Sequence, residues 1–574
     1  MNFFRFSLLF CLLLFAALGI GALQAQTIPP IKVVSFIPSD CKPFDNTEER
    51  LGRVMTHVQG FYRDGMEARG FGKKTFELEW KEPGKLQIYT VQGKKKQSEY
   101  GRNDSGVVRN EVKAAMSEQY NIDIDKEHII IFQSLLKWEG DQATELGPYV
   151  GGGGALSGTA WVYDDPLLDA AKLASKEPGG YYNRPVSVGQ FNTHYIGGVA
   201  HELGHAFGLP HDCEKDDEKT KLGTSLMGGG NHTYGNELRD QGLGTFLSAA
   251  SALQLSTVRA FVGEISGNRD RGAWRVDDIS ATFQDGKITF TGRFVATPPV
   301  IGIVAYNDDS NVDSDYDAKS WITKPDSVGR FTVEIGELKE TAYQLRLLAV
   351  HEGGQKSRAV YDYVVHAEGP DLSQFDKSLP FEEIKNAFLA NDRDRLDAIL
   401  AEVTAKYPNS AVQKRAKQFS DLAKGTFTEI DLLTQPADVK TVDLTWGKFA
   451  NARTGWGAPQ RGSVPEDGYL TVGGTFFMSG LYGHAVSLYK FNLGGQWKTF
   501  KSGYGIQDDH GGSVIFVVRG DGKELFRSER ITDHRLRRLE VNVGDVKDIE
   551  LIIEDGGDGV SNDWGVWIEP TAER

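Results

Sequence analysis

The chain has 574 residues, of which 40% are hydrophobic and 11% aromatic. That is the balance of folded domains rather than of a disordered polypeptide, and the length calls for several domains of about 100–200 residues each. A net charge of −15 argues against nonspecific binding to nucleic acid or to an anionic membrane surface.

The first residues, MNFFRFSLLFCLLLFAALGIGALQAQ, carry one charge, Arg5, ahead of an apolar run and small residues ending at Ala25. This is the layout of a secretory signal over residues 1–25. It predicts a secreted, extracellular or periplasmic protein with no membrane span once the signal is cut. The run is also long enough to serve as an uncleaved anchor, which would hold the chain at the cell surface. Cys11 lies inside the signal, so Cys41 and Cys213 are the two cysteines beyond it.

Residues 32–38, KVVSFIP, read as a strand. A helix is expected from Thr47 to about Arg69, because Leu51, Val54, Met55, Val58, Phe61, Tyr62 and Met66 recur at helical spacing behind Glu48 and Glu49. TFELEWKEPGKLQIYTV reads as a hairpin turning at Pro83-Gly84, and residues 106–119 as a second helix. HIIIFQSLL reads as a buried strand, and GTAWVYDD as another after the glycine run Gly151–Gly154. A further helix is expected from about Thr193 to Phe207. Strands and helices alternate, which predicts an α/β domain with a mixed sheet over 26–265.

From 270 to 368 the period changes to two. ISATFQDGKITFTGRF is a hairpin with an Asp285-Gly286 turn, and VIGIVAYN, GRFTVEIGEL, YQLRLLAV and RAVYDYVV continue as strands of a small immunoglobulin- or fibronectin-like β-sandwich. Residues 369–427 form a helical connector, with apolar positions at Phe381, Ile384, Phe388, Leu389, Leu396, Ile399, Leu400 and Val403. From 428 to 574 the chain is again rich in short strands, glycines and aromatics. No tandem repeat is visible.

The stretch HELGHAFGLPHD, His201 to Asp212, concentrates three of the chain's 12 histidines. On a helix His201 and His205 share a face. Gly208 can end that helix in a left-handed conformation and bring His211 round to the same point. Three imidazoles leave a fourth zinc position for water, and Glu202 stands where its carboxylate can take a proton from that water. With this composition HExxH alone arises by chance in about 2% of chains, and the full pattern in fewer than about one in 10,000.

These residues resemble the metzincin metalloendopeptidases, whose signature HExxHxxGxxH is present as His201, Glu202, His205, Gly208 and His211. The resemblance covers roughly 32–262. It implies Zn²⁺ held by the three histidines and Glu202 as general base, and Asp212 is similar to the residue that follows the third histidine in the adamalysin and snapalysin groups. It also implies a methionine turn beneath the metal, for which GTSLMGGGNHTYG offers Met227. Some of these enzymes carry a tyrosine two residues after the methionine; here Gly229 occupies that place and Tyr234 lies further on. Substrate in this clan lies along a sheet edge, for which GALSGTAWV is the candidate, with a plain interior strand as the alternative. Cys41 and Cys213 are expected to form a disulfide, because export implies an oxidising compartment and no pro-segment precedes Cys41. The alternatives are two free buried thiols, or Cys41 as an inhibitory zinc ligand.

In the middle segment Asp309, Asn311, Asp313, Asp315 and Asp317 alternate as in a Ca²⁺ loop. No glycine stands at the sixth place, and Ser320 replaces the bidentate glutamate, so a solvated acidic loop is favoured over a Ca²⁺ site. The C-terminal unit resembles the NPCBM-type carbohydrate-binding modules through GLYGHAVSLYKFNL (Gly480–Leu493), YGIQDDHGGSVIFVVRGDGKELFRS (Tyr504–Ser528) and LIIEDGGDGVSNDWGVWIEP (Leu551–Pro570). That resemblance implies a galactose-binding-like β-sandwich. His484, Asp563, Trp564 and Trp567 are candidate sugar-lining residues, with core tryptophans and a module that only spaces the enzyme as the alternative, and Gln507 departs from an expected acidic residue. The function expected is a secreted zinc endopeptidase acting on protein or glycoprotein, with a glycan ligand for the last module, no nucleic-acid partner, and a monomeric state. The rivals are a zinc amidase on cell-wall or glycan substrates, and a glycan-binding surface protein with a vestigial zinc site.

Overall fold

A computed structural model describes residues 28–574 except 182–183, 264, 266–273, 310–315, 373–382, 385–386, 388–391, 409–410, 466–469, 474, 509, 511 and 558. The N-terminal run read as a secretory signal, with Cys11, the loop residues Asn311, Asp313 and Asp315, and Phe381, Phe388 and Leu389 of the connector lie outside the described residues.

The N-terminal part is a mixed sheet covered by helices. Its main strands are β1 (Pro30–Ile37), β2 (Ile88–Gln92), β3 (His128–Gln133), β4 (Val150–Gly153) and β5 (Gly158–Tyr163). They run in the order β2–β1–β3–β5–β4; the first four are parallel and β4 is an antiparallel edge. β1 and β3 are buried along nearly their whole length, which is why they read as continuous apolar runs rather than alternating ones. Helices α1 (Thr47–Ala68), α2 (Ser105–Tyr120) and α3 (Val188–Ala206) accompany the sheet. The α1 hydroxyl of Tyr62, fully buried, donates to Ala200 O of α3 at 2.7 Å and ties the two helices together.

Three sequence expectations need correction. The 75–91 hairpin pairs antiparallel only at its tip, Trp80–Glu82 with Lys85–Leu86, while Glu77–Leu78 and β2 each join β1 in parallel. A two-stranded ribbon is marginal alone; pairing β2 with β1 buries Tyr89 and Val91 instead. α3 begins at Val188, not Thr193. Ser187 Oγ accepts from the Gln190 N–H at 3.1 Å and Gln190 Oε1 accepts from the Ser187 N–H at 2.9 Å, a capping box that satisfies two orphan amides. The third concerns the edge: residues 158–163 are interior, between β3 and β4, and the free edge is the preceding Val150–Gly153.

The middle part is two facing sheets. One holds Trp274–Gln284, Lys287–Ala296 and Arg330–Ile335; the other holds Lys319–Thr323, Val300–Asp309, Ala342–His351, Lys356–His366 and Gly369–Asp371. Asp285 and Gly286 both adopt positive φ, 51° and 74°, as the tight hairpin requires. Phe290, Phe331, Leu345, Leu347 and Tyr361 fill the space between the sheets. A second apolar cluster, Ala250 and Leu253 against Val304, Tyr306, Ala318 and Val350, joins this part to the first.

Helices Arg393–Lys406 and Ala411–Lys424 follow, packed through Leu396, Ile399, Val403 and Ala416. The C-terminal part is again two antiparallel sheets, of six and five strands, around Tyr489, Phe491, Trp497, Phe500, Phe516 and Trp567. Among the described residues no helix is long and apolar enough to cross a membrane.

Candidate metal centre

The imidazoles of His201, His205 and His211 converge. His205 Nε2 lies 3.1 Å from His201 Nε2 and 3.0 Å from His211 Nε2. Among the described residues this is the one group of three or more His, Cys, Asp or Glu whose ligand atoms could hold a metal ion. Helix α3 supplies the first two rings one turn apart. Gly208, at φ 83°, then reverses the chain, with its N–H on His205 O and the Leu209 N–H on Gly204 O, and the following segment carries His211 back.

The donor set fits a cation. His201 Nδ1 is 2.7 Å from Leu226 O, and His205 Nδ1 is 2.8 Å from Leu209 O. A carbonyl only accepts, so both Nδ1 atoms carry the proton and both Nε2 atoms carry lone pairs. Lone pairs aimed at one another at about 3 Å repel unless a positive ion lies between them, and the spacing is close to that of nitrogens sharing one ion at about 2.0–2.1 Å. Burial, and after it the neighbouring imidazoles, hold His201 down at about 3; burial and His211 hold His205 down at about 4. Both rings are therefore neutral ligands at ordinary pH.

Glu202, the residue after the first ligand, is almost fully buried. Burial pushes its carboxyl up to about 8, against the pull of a hydrogen bond from the Gly151 amide. That amide belongs to β4, which lies directly on α3. A Cβ on Gly151 would collide with Glu202 O, and one on Gly153 or Gly158 with Ala206 O. The glycine run is thus what lets the sheet edge lie against α3 beside Glu202.

Met227 is fully buried, and its sulfur fills the space a side chain on Gly204 would need, on α3 between the first two histidines in sequence. The adjacent Leu226 carbonyl is the one that orients His201. Asp212 is also fully buried; its carboxylate accepts from Ser225 and Ser248 at 2.6 Å each and from Ser320 at 3.3 Å. Burial pushes it up to about 6 despite those donors. Tyr234 packs against His57 and Phe61 of α1.

The expected Cys41–Cys213 disulfide is not formed; both thiols are free. Cys41 lies past the end of β1 with its thiol on Asp40, whereas the Cys213 amide donates to Ala318 O of the middle part. Burial and then Asp212 push the Cys213 thiol up to about 12, so it stays protonated. The ligand cluster contains no sulfur, so Cys41 is not a third-party ligand either. Of the acidic-loop residues, Asp309 accepts from Thr341 at 3.0 Å.

In the C-terminal part the four sugar-lining candidates separate. Trp567 is 0% exposed and sits between the sheets against Phe500 and Phe516; it is a core residue, which removes it from any binding face. Trp564 lies on the other face of its strand, with the His510 ring stacked on it at 3.7 Å and Trp456 at 5.4 Å. Trp456 is 46% exposed and also neighbours His484 at 6.3 Å. Asp563 is buried and accepts from the Ser513 N–H at 2.9 Å. Gln507, likewise buried, bonds Thr471 through both ends of its amide, a structural role. Sequence reasoning missed Trp456 and His510; a tryptophan flanked by glycines in TGWG was the available signal for the first.

Residues 438–573 match the NPCBM/NEW2 domain family. A protein of Renibacterium salmoninarum named "Putative endo-alpha-N-acetylgalactosaminidase" is 27% identical over 153 residues, 25% of this chain and 10% of that protein; the chain thus spans a tenth of that relative's length. Wild-type OgpA from Akkermansia muciniphila superposes with a TM-score of 0.53 at 24% identity, over 60% of this chain and 96% of OgpA. Catalytically inactive OgpA in complex with an O-glycopeptide substrate, glycodrosocin, gives 0.52 at 23% identity, over 60% and 95%. The chain shares the fold of OgpA and carries an NPCBM/NEW2 domain at its C-terminal end.

Proposed function

We propose that the chain is a secreted zinc-dependent endopeptidase that cleaves O-glycosylated proteins. In this reading residues 26–265 carry the chemistry, 270–368 form a β-sandwich beside it, 369–427 connect, and 428–574 bind glycan. The observation that carries it is the convergence of three imidazole Nε2 atoms, two of them unprotonated by their carbonyl partners, next to a buried glutamate. A Zn²⁺ ion there would polarise the scissile carbonyl and acidify a water molecule. His201, His205 and His211 would hold the ion, and Glu202 would take the water's proton and deliver it to the departing amine, so that the peptide bond is exchanged for a carboxylate and an amine. The Gly151 amide favours the ionised form of Glu202 that burial resists, and the charge of a bound cation would favour it further, leaving a carboxylate able to take the proton. The buried sulfur of Met227 would give the ligand helix a soft apolar floor.

The glycosylated substrate class is supported by the shared fold with OgpA, whose complex holds an O-glycopeptide, and by the NPCBM/NEW2 domain. The test is cleavage of one peptide with and without an O-linked sugar, by wild type and by Glu202→Ala. Cleavage of the glycosylated form by wild type alone is the expected result. Equal cleavage of both forms removes the glycan requirement, and cleavage by the Glu202→Ala variant removes the mechanism.

A further inference from the structure

The third ligand is held from outside its own part of the molecule. His201 and His205 are aimed by carbonyls of Leu226 and Leu209, but the segment from Gly208 to Cys213 is gripped by the middle β-sandwich at four points. Lys356 donates to Gly208 O at 2.5 Å. The Ser320 hydroxyl donates to Asp212 at 3.3 Å, adding to the Ser225 and Ser248 hydroxyls of the N-terminal part at 2.6 Å each. The Cys213 N–H donates to Ala318 O at 2.9 Å. Tyr316 lays its ring over His211, with centroids 3.8 Å apart and planes at 26°, and stands parallel to His201 at 6.4 Å. The residue two places after Met227 is Gly229, and Tyr234 is buried against His57 and Phe61 of α1, so the tyrosine at the ligands comes from the other module.

We propose that the middle β-sandwich is a working part of the metal centre, in which Tyr316 and Ser320 position His211 and slow the departure of the metal. The proposal rests on the zinc reading above. A multidentate ion leaves one ligand at a time. The ligand on a loop lets go more easily than two on one helix, so the restraint on that loop sets the rate of loss. A flat ring stacked on an imidazole blocks its rotation about χ2 and keeps Nε2 directed at its two partners. Hydrogen bonds to Asp212 fix the backbone on the other side of the same residue. Groups that orient metal ligands from behind change metal affinity by about 10- to 100-fold when removed.

The experiment uses the full zinc-loaded chain as wild type, Tyr316→Ala, Tyr316→Phe and Ser320→Ala. It measures the rate of zinc transfer to a chromophoric chelator and the visible spectrum after cobalt(II) substitution. Tyr316 is half exposed, so its replacement leaves the core intact. Tyr316→Ala is expected to lose zinc about 10- to 100-fold faster with a changed cobalt spectrum, and Ser320→Ala to be faster by a smaller factor. Tyr316→Phe keeps the stacked ring and should match wild type. Loss from Tyr316→Ala at the wild-type rate, or from Tyr316→Phe as fast as from Tyr316→Ala, overturns the proposal while leaving the zinc reading intact. Wild type that takes up no zinc overturns the zinc reading itself.

Discussion

The histidine triad and the aromatic cluster of the C-terminal part are both assemblies of ring side chains, yet they are ordered by different means. At the triad the backbone does the aiming: one helical turn separates His201 from His205, and a carbonyl fixes each of these two rings. In the C-terminal part the rings sit on strands, and the pleat decides which way they face. Trp564 and Trp567 are three apart on Trp564–Glu573, an odd spacing that sends them to opposite faces. Trp564 joins a second buried cluster with Tyr482 and Val566, beneath Trp456 and His510, and Trp567 joins the core between the sheets. A separation of four on a helix therefore brought rings together, whereas a separation of three on a strand sent them to opposite faces.

Four measurements can break or sharpen that contrast. Glu202→Ala should lower glycopeptide cleavage by about 10²- to 10⁴-fold while zinc content stays unchanged, read by turnover and elemental analysis; a loss of metal instead would make Glu202 part of the binding geometry. Trp567→Ala should cost about 3–5 kcal/mol in denaturant unfolding of the C-terminal part. Trp456→Ala should leave unfolding unchanged and reduce retention on a galactose-bearing resin. If both variants behave alike, the division into core and surface rings is wrong.

Acid provides the third. His128, at the start of β3, bonds Gly154 O at 2.9 Å and is held down at about 4 by burial. A histidine depressed in the folded state costs nothing while neutral above about 6.5, and destabilises as pH falls toward its folded value. The N-terminal part should therefore lose up to about 3 kcal/mol between pH 6.5 and 4, and His128→Gln should flatten that limb of a melting-versus-pH series. The smallest effect is expected at the thiols. Cys41→Ser, or reductant on wild type, should leave the melting temperature within error, because no disulfide is present.

Much of the scaffold was legible. Unbroken apolar strands, the helical spacing of Leu51 to Met66 and the Asp285-Gly286 turn each report a local rule that the packed chain obeys. The histidine triad was legible for the same reason, since both the helix and the Gly208 reversal are local. What escaped depended on partners distant in sequence. The hairpin strands split because β1 competes for them. The sheet edge fell one strand earlier because β5 is flanked on both sides. The two cysteines occupy separate surroundings that no spacing rule reports. Tyr316 reaches His211 across a module boundary 105 residues further along the chain. The start of α3 is the exception, since the capping box Ser187-Val188-Gly189-Gln190 was in plain view.

The bare rim of β4 has one more consequence. Gly151 and Gly153 are locked in by the helix beneath, but a Cβ on Gly152 would meet nothing within 4 Å. An arriving polypeptide would find main chain along this ledge and hardly any feature to tell one residue from another. Position 152 is a blank at which a side chain could be written in by mutation, giving the ledge a preference of its own without disturbing the ligands below.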